Sequence, residues 1–368
     1  MTDSRHDQRE LDAAASPGRD NRTTRNLPSA HDPASRLSEP LVDAVARITA
    51  DRDHGASYLA REVARALADA TAFALADLRD ADSADLAVEH ATTILRLARA
   101  LAYARPSMVI LATCAARICA AGWTSGPAAT RDLAAARDAL AHAHAEALRL
   151  IAAWDTLPSA IVTHARPLVR GIVATISRSA TVESVLRNLA RAQVDVPAVI
   201  QAVIQAVIVT ESRPGGEGKG LAQALGASGL RVTLVADTAL GLMLNEATCV
   251  VTGTDSVRAD GSVVNKVGTY PLALAARAAG VPCFVVCESL KIAPPDWPLT
   301  LEEMGPAELL PVPMPGVTAR NPYFDHTPAA FISAIITEHG ALDASAVAHL
   351  ARDHARDLAR LNAGALAT

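Results

Sequence analysis

The stretch Val250–Tyr270 reads VVTGTDSVRADGSVVNKVGTY and decides the fold of this 368-residue chain. It opens with β-branched apolar residues, as a buried strand does, and that strand ends at Gly253-Thr254-Asp255. Further on, Asn265-Lys266 and a glycine precede an alanine- and leucine-rich helix predicted over Pro271–Ala279. Open α/β sheets bind ligands at the carboxyl ends of their strands, and an ammonium, an amide and free N–H groups at a helix entrance favour an anion. The stretch therefore predicts a site for a small phosphorylated molecule, with Asp255 placed for proton transfer.

Strands and helices alternate on both sides of this stretch. The candidate strands are Ala160–His164, Ala206–Thr210, Arg231–Val235, Thr248–Gly253 and Val281–Cys287. The helices predicted between them are Thr181–Leu189, Gly220–Ala227, Ala239–Asn245 and Pro271–Ala279, and a last helix is predicted over Ser345–Leu361. Because the strand runs are nearly all apolar, this alternation predicts a mostly parallel sheet covered by helices on both faces.

The first part of the chain shows helical periodicity instead. Helices are predicted over Tyr58–Ala76, Ser83–Tyr103, Ser107–Ala121 and Thr130–Ala153. Residues 1–38 are rich in charged residues and proline with few large apolar side chains, and are expected to form a disordered arm. The predicted fold class is α/β, with an N-terminal all-helical domain over residues 39–156 and a mostly parallel sheet domain over residues 157–368.

Composition limits the classes of function. The formal charge of −5 argues against a nucleic-acid-binding protein, and no apolar run approaches the length that spans a membrane. Five cysteines without metal-type spacing and a polar amino terminus without a secretory signal fit a reducing cytoplasm, with neither metal nor cofactor expected. Of 34 basic residues only Lys219, Lys266 and Lys291 are lysine. This bias indicates a GC-rich bacterial genome, or positions that require a compact ammonium group.

Four other features are candidates for the site, each with a structural alternative. The glycine-rich turn ESRPGGEGKG at 211–220 lacks both the P-loop spacing and GxGxxG, which disfavours a nucleoside triphosphatase and a nicotinamide dehydrogenase. Arg105 stands before a proline at a helix start, where it favours an anion or is an ordinary loop arginine. His164 ends a predicted strand and either titrates near neutral pH or makes a structural hydrogen bond. Cys287 ends another predicted strand and is a candidate for the site, although buried cysteines usually act as small apolar residues.

Several motifs occur together and in one order. They are ESRPGG at 211–216, GTDSV at 253–257, VVNK at 263–266, VPCFVVCESLK at 281–291 and NP-x-FD-x-TP at 321–328. Over roughly Asp51–Gly340 the chain resembles the superfamily that contains the α, β and δ subunits of eukaryotic translation initiation factor 2B, methylthioribose-1-phosphate isomerase and ribose-1,5-bisphosphate isomerase. The resemblance implies a helical domain followed by a Rossmann-like domain, a homodimer, and a phosphorylated sugar or nucleotide as the ligand.

The resemblance also implies roles for single residues. Asp255 occupies the place of the acid/base aspartate of the isomerases. The positions that match or accompany the substrate-binding motifs of the family are Gly55, Ala56, Arg105, Arg213, Glu217, Asn265, Lys266 and Lys291.

Two departures from the family pattern bear on function. The isomerases carry a catalytic cysteine in a Thr-His-Cys-Asn segment, and this chain reads Thr163-His164-Ala165-Arg166, so Ala165 stands where that thiol should be. Glu217 stands at the glutamine of Arg-Pro-x-x-Gln-Gly. A carboxylate near a phosphate is repulsive unless a cation lies between them, and Lys219 is a candidate for that cation.

Three interpretations remain. The favoured one is an aldose-1-phosphate to ketose-phosphate isomerase in which Asp255 moves the proton and His164 or Cys287 replaces the missing thiol. The alternative is a non-catalytic sensor or regulatory subunit that binds a sugar phosphate or nucleotide. The third is a structural dimer with a vestigial pocket, which a plain buried ion pair between Asp255 and Lys266 would support.

Overall fold

A helical N-terminal region precedes a mostly parallel sheet in the computed structural model, which describes residues 43–80, 83–123, 132–191 and 203–366. The predicted disordered arm, residues 1–38, lies outside the described residues. Within the described ranges, every helix is too short or too polar to cross a membrane.

Five helices form the N-terminal region. They are α1 (residues 43–50), α2 (Ala56–Asp80), α3 (Ala84–Ala102), α4 (Ile110–Gly122) and α5 (Leu133–Ala165). Ser83 and Asp132 cap α3 and α5, each accepting a hydrogen bond from a backbone N–H of the first turn. Helix α4 is buried on nearly all sides, because its many alanines let the neighbouring helices approach closely.

Helix α5 overturns one predicted strand. Ala160–His164 is the last part of this helix, and Trp154, Ile161 and Ala165 are buried at helical spacing along it. A short apolar run such as Ile161-Val162 fits a buried helix as well as a strand, so periodicity alone could not distinguish them. Helix α5 also continues across the predicted domain boundary after residue 156.

The main sheet has seven strands, and all of them are parallel except the last. The strands are β1 (Gly171–Thr175), β2 (Ile204–Thr210), β3 (Val232–Val235), β4 (Cys249–Thr252), β7 (Cys283–Val286), β9 (Ala334–Thr337) and β10 (Gly340–Leu342). Their spatial order is β10-β9-β7-β4-β1-β2-β3, and β9 pairs with β10 antiparallel. The helices between the strands are α6 (Ala180–Arg191), α7 (Glu217–Ala227), α8 (Leu240–Met243) and α9 (Thr269–Ala278). The predicted α/β class and mostly parallel sheet are confirmed.

A second, antiparallel sheet was not predicted. It consists of β5 (Ser256–Val257), β6 (Val263–Lys266) and β8 (Phe324–Thr327). In its register Asn265 lies opposite Asp325, and Lys266 lies opposite Phe324. The VVNK and NP-x-FD-x-TP motifs are therefore neighbouring strands.

The last helix, α10 (Ala344–Leu366), returns to the helical region. Its Leu358 and Leu361 are buried in the same apolar core as α2, α3, α4 and α5. The helical region is thus completed by a segment that the sequence assigned to the sheet domain.

Candidate functional site

A cavity of about 640 Å³ lies where the carboxyl ends of β1 and β4 face the helical region. The loops that follow these strands, residues 176–180 and 253–255, form one side, and residues 52–58 form the other. The first residues of three helices border the cavity, namely Ala56 of α2, Ala180 of α6 and Glu217 of α7. Because the unpaired N–H groups and the positive dipole end of each helix favour negative charge, this convergence suits an anionic ligand.

Most of the predicted site residues line this cavity. They are Gly55, Ala56, Arg105, Glu217, Asp255, Asn265, Lys266 and Lys291. They come from the helical region, the main sheet and the small sheet, so the cavity exists only because the fold brings all three together.

Asp255 is a carboxylate without a bonded partner among the described residues. Its backbone N–H donates to the Val264 carbonyl oxygen at 2.9 Å, which fixes the loop between β4 and β5. Burial raises the pKa of the Asp255 carboxyl above its ordinary value, and the nearby charges of Lys291 and Lys266 offset only part of that effect. A carboxyl group with a raised pKa is suited to accept and return a proton near neutral pH.

Lys266 pairs with Glu217 and not with Asp255. Its Nζ donates to Glu217 Oε1 at 2.6 Å and lies 3.6 Å from the centre of the Tyr323 ring. The predicted cation at Glu217 was Lys219, and this was wrong: Lys219 is exposed and lies 3.4 Å from Glu211. The plain Asp255–Lys266 ion pair that would support the vestigial-pocket interpretation is likewise not formed.

Lys291 is buried beside a second carboxylate, Glu288, at 3.4 Å. Glu288 accepts hydrogen bonds from Ser57 Oγ at 2.9 Å and from Thr181 Oγ1 at 3.1 Å. Burial alone would lower the pKa of Lys291, but the charges of Glu288 and Asp255 outweigh it and raise that pKa. Lys291 is therefore a fixed positive charge, and Glu288 ties it to the first turns of α2 and α6.

Arg105 is buried and fully engaged within the protein. Its Nη2 donates to Glu302 Oε2 at 2.8 Å, and its Nη1 donates to the Asp51 carbonyl oxygen at 2.6 Å. Burial would raise the pKa of Glu302, but hydrogen bonds from Arg105 and Ser107 outweigh it and lower that pKa. The guanidinium reaches the cavity as one half of an ion pair.

Asn265 connects the elements that surround it. Its Nδ2 donates to Thr252 Oγ1 at 3.0 Å and to Thr269 Oγ1 at 2.9 Å. Both amide hydrogens thus bind the end of β4 to the start of α9, and Oδ1 is the polar atom left for a ligand.

Three predicted site residues do not line the cavity. His164 lies on α5, away from it. Cys287 is packed among apolar residues that include Val257 and Ile335, and burial raises the pKa of its thiol. Arg213 is exposed, and its backbone N–H donates to Asp237 Oδ2 at 2.7 Å. Neither His164 nor Cys287 can therefore replace a catalytic thiol at Asp255.

Ser177 is a cavity residue that sequence reasoning missed. It follows β1 and has a φ of +62°, and its backbone N–H donates to Ser212 Oγ at 2.7 Å. Ser212 has a φ of +61° as well. Non-glycine residues in this left-handed region are uncommon and concentrate at functional sites. The signal was the apolar run at 171–176 followed by Ser-Arg-Ser, which was overlooked because the strand was placed at Ala160–His164.

This position also corrects the place assigned to the missing thiol. Ala165 is buried at the end of α5 and does not reach the cavity. A strand end that does reach it, Thr175-Ile176-Ser177, carries a serine at its third residue. Ser177 is therefore the residue to compare with the cysteine of a Thr-His-Cys-Asn segment.

Comparisons of the sequence and of the fold with known proteins find related proteins. The model of the "Initiation factor 2 subunit family" matches residues 54–344. A "Ribose 1,5-bisphosphate isomerase" of Archaeoglobus fulgidus is 42% identical over 144 residues, which are 37% of this chain and 45% of that protein. A "Methylthioribose-1-phosphate isomerase" of Syntrophotalea carbinolica is 38% identical over 160 residues, 39% of this chain and 45% of that protein. The match thus spans about half the length of these curated relatives.

A solved structure extends the similarity to most of the chain. The "translation initiation factor eIF-2B" of Pyrococcus horikoshii OT3 superposes with a TM-score of 0.64 at 26% identity. The superposition covers 83% of this chain and 97% of that one. The order of a helical region followed by a mostly parallel sheet is therefore shared with this protein.

Proposed function

Because the chain belongs to the initiation factor 2 subunit family, we propose that it is an isomerase that converts an aldose 1-phosphate into a ketose phosphate. Two of its relatives are named for the isomerisation of phosphorylated riboses, which supports this class of substrate. The observation that carries the proposal is Asp255, a carboxyl group with a raised pKa and no bonded partner among the described residues, in a cavity that Lys266 and Lys291 also line.

The reaction needs no oxidant, because substrate and product are isomers. A hydrogen moves from C2 to C1 of the sugar, the bond between C1 and the ring oxygen breaks, and the ring oxygen takes the proton that the C2 hydroxyl loses. Asp255 accepts a proton in this sequence and returns it. Lys291 and the N–H groups at the starts of α2 and α6 hold the phosphate, and Ser177 offers a hydroxyl group at the end of β1.

The test is an isomerisation assay in deuterium oxide with ribose 1-phosphate and methylthioribose 1-phosphate. The wild type is expected to form a ketose phosphate, and deuterium at C1 would identify proton transfer through a protein group. Asp255→Asn is expected to lower kcat/KM by about 10²-fold or more while the substrate still binds, because one proton-transfer group is lost. Asp260→Asn, in the turn between β5 and β6 and outside the cavity, is the matched control and is expected to keep its activity.

A second candidate function is a sugar-phosphate sensor. The ion pair between Arg105 and Glu302 favours it, since this cation is already neutralised before any ligand arrives. Binding of a sugar phosphate with no product and no deuterium incorporation would establish the sensor and exclude the isomerase. The homodimer implied by the resemblance stays a prediction, which light scattering of the purified protein tests.

A further inference from the structure

The cavity is poorly matched to a ligand of high negative charge. Its lining side chains comprise five basic and four acidic residues, for a formal charge of +1 with histidine neutral: Arg52, Arg105, Arg178, Lys266 and Lys291 against Asp53, Glu183, Glu217 and Asp255. Glu288 and Glu302, which pair with Lys291 and Arg105 from behind, bring the balance to −1. A phosphate monoester carries about −1.5 to −2 at neutral pH, so a sugar bisphosphate carries about −3 to −4.

Each of the three buried cations at the cavity has its own carboxylate. Lys291 pairs with Glu288, Arg105 pairs with Glu302, and Lys266 pairs with Glu217 at 2.6 Å. Glu217 differs from the other two acids because it lines the cavity itself, with 31% of its side chain exposed. It is therefore the acid of these three that a ligand would meet directly.

The charge of Glu217 is held in place and poorly hydrated. Its Oε1 accepts from Lys266, while its Oε2 is shielded from solvent and has no hydrogen-bond partner among the described residues. It is the first residue of α7, where the helix dipole stabilises a carboxylate. Because solvent screens such a charge less than an exposed one, it repels a nearby anion more strongly.

A neutral tyrosine completes this wall of the cavity. The Tyr323 ring lies under Lys266, and burial together with the charges of Glu217 and Glu308 raises the pKa of Tyr323 to about 12. The phenol therefore stays neutral, and in the lining of the cavity the charge of Lys266 is balanced by that of Glu217. The wall formed by Lys266, Glu217 and Tyr323 thus has no net positive charge to attract a phosphate.

We propose that Glu217 makes this site select a sugar with one phosphate group over a sugar bisphosphate. This inference rests on the proposed binding of a sugar phosphate and specifies its substrate class. The single phosphate lies against the helix starts and Lys291, and the wall that contains Glu217 receives the end of the sugar that carries no phosphate.

The test measures the dissociation constants of ribose 1-phosphate, methylthioribose 1-phosphate and ribose 1,5-bisphosphate by titration calorimetry at neutral pH. The wild type is expected to bind both monophosphates at least about tenfold more tightly than the bisphosphate. Glu217→Gln keeps the shape of the side chain but removes its charge, and is expected to reduce that preference about tenfold or to invert it. The matched control is Glu211→Gln, which removes the half-buried partner of Lys219 outside the cavity and should leave the preference unchanged.

Two outcomes overturn the inference and leave the proposed function standing. One is a wild type that binds the bisphosphate as tightly as the monophosphates, and the other is a Glu217→Gln variant with native circular dichroism and an unchanged preference. If the wild type binds none of the three sugars, the proposed function fails and this inference fails with it.

Discussion

At the residue scale, Asp325 shows how the strand β8 shapes a site that lies on another strand. Its Oδ2 accepts from the backbone N–H groups of Gly268 at 2.7 Å and Tyr270 at 3.0 Å. These bonds cap the start of α9 and fix the turn that directly follows Lys266. The other oxygen, Oδ1, is buried and has no hydrogen-bond partner within the described residues.

This carboxyl group predicts a pH dependence of stability. Burial raises the pKa of Asp325 from 3.8 to about 6, although the capped N–H groups act in the opposite direction. Between these pH values the folded protein binds a proton at Asp325 that the unfolded chain releases, so the contribution of Asp325 to the free energy of unfolding should fall as pH rises from about 4 to about 6. The contribution is at most about 3 kcal/mol, since a tenfold change in proton affinity corresponds to about 1.4 kcal/mol.

Urea denaturation of the wild type and of Asp325→Asn at several pH values measures this contribution. The asparagine cannot titrate, so the stability of the wild type relative to the variant should decline over that pH range. Parallel stability curves for the two proteins would show that Asp325 does not titrate there.

At the element scale, the strands β2, β3, β4 and β7 could be predicted because each is a nearly all-apolar run that ends at a turn or polar motif. Strand β1 could not be predicted, since Ile161-Val162 is an equivalent apolar run. Only the packing of α5 shows that Ile161-Val162 is helical. Because the strand was predicted at Ala160–His164 instead of β1, the predicted site residues were His164 and Ala165 instead of Ser177. The small sheet could not be predicted either, because β6 and β8 are far apart in the chain and no local pattern sets their register.

The motif residues were placed more reliably than the elements. Asp255, Lys266 and Lys291 line one cavity as expected. The ion-pair partners of Lys266 and Arg105 were not foreseen, because Glu217 and Glu302 reach them through tertiary contacts. Cys287 was misjudged because alternation along a strand does not reveal which face is buried in the apolar core.

Helix α7, which carries Glu217, yields a prediction about two of its glycines. A Cβ at Gly218 would lie 1.8 Å from the Thr210 carbonyl oxygen, so Gly218→Ala should push the helix from β2 and lower the free energy of unfolding by about 1–3 kcal/mol. A Cβ at Gly226 meets nothing within 4 Å. Gly226→Ala on the same helix should raise the stability by about 0.5–1 kcal/mol. Chemical denaturation of both variants measures these changes. Equal changes in the free energy of unfolding would contradict the close approach at Gly218.

At the scale of the whole molecule, the helical core contains residues from both ends of the described chain. The protein has three tryptophans, and all of them are buried in that core: Trp123, Trp154 and Trp297. Their fluorescence therefore reports on the packing of the helical region, to which α10 contributes Leu358 and Leu361.

Leu361→Ala tests whether α10 stabilises the region it packs against. Leu361 is fully buried, so the substitution should lower the free energy of unfolding by about 2–5 kcal/mol, measured by tryptophan fluorescence in urea. Leu242→Ala, at a leucine that is 76% exposed, is the matched control and should change it by less than about 0.5 kcal/mol. A transition unchanged by Leu361→Ala would mean that α10 is dispensable for the helical core.

The return of α10 sets an order of assembly during synthesis. On the ribosome, α3 and α4 emerge long before the helix that covers them, because the whole sheet is translated in between. The amino-terminal part of a nascent chain usually folds first, and α2, α3, α4 and α5 can pack against one another as they emerge. The surface of α3 and α4 that α10 covers stays exposed until residues beyond Leu361 have been added, and during that interval it is available to a chaperone.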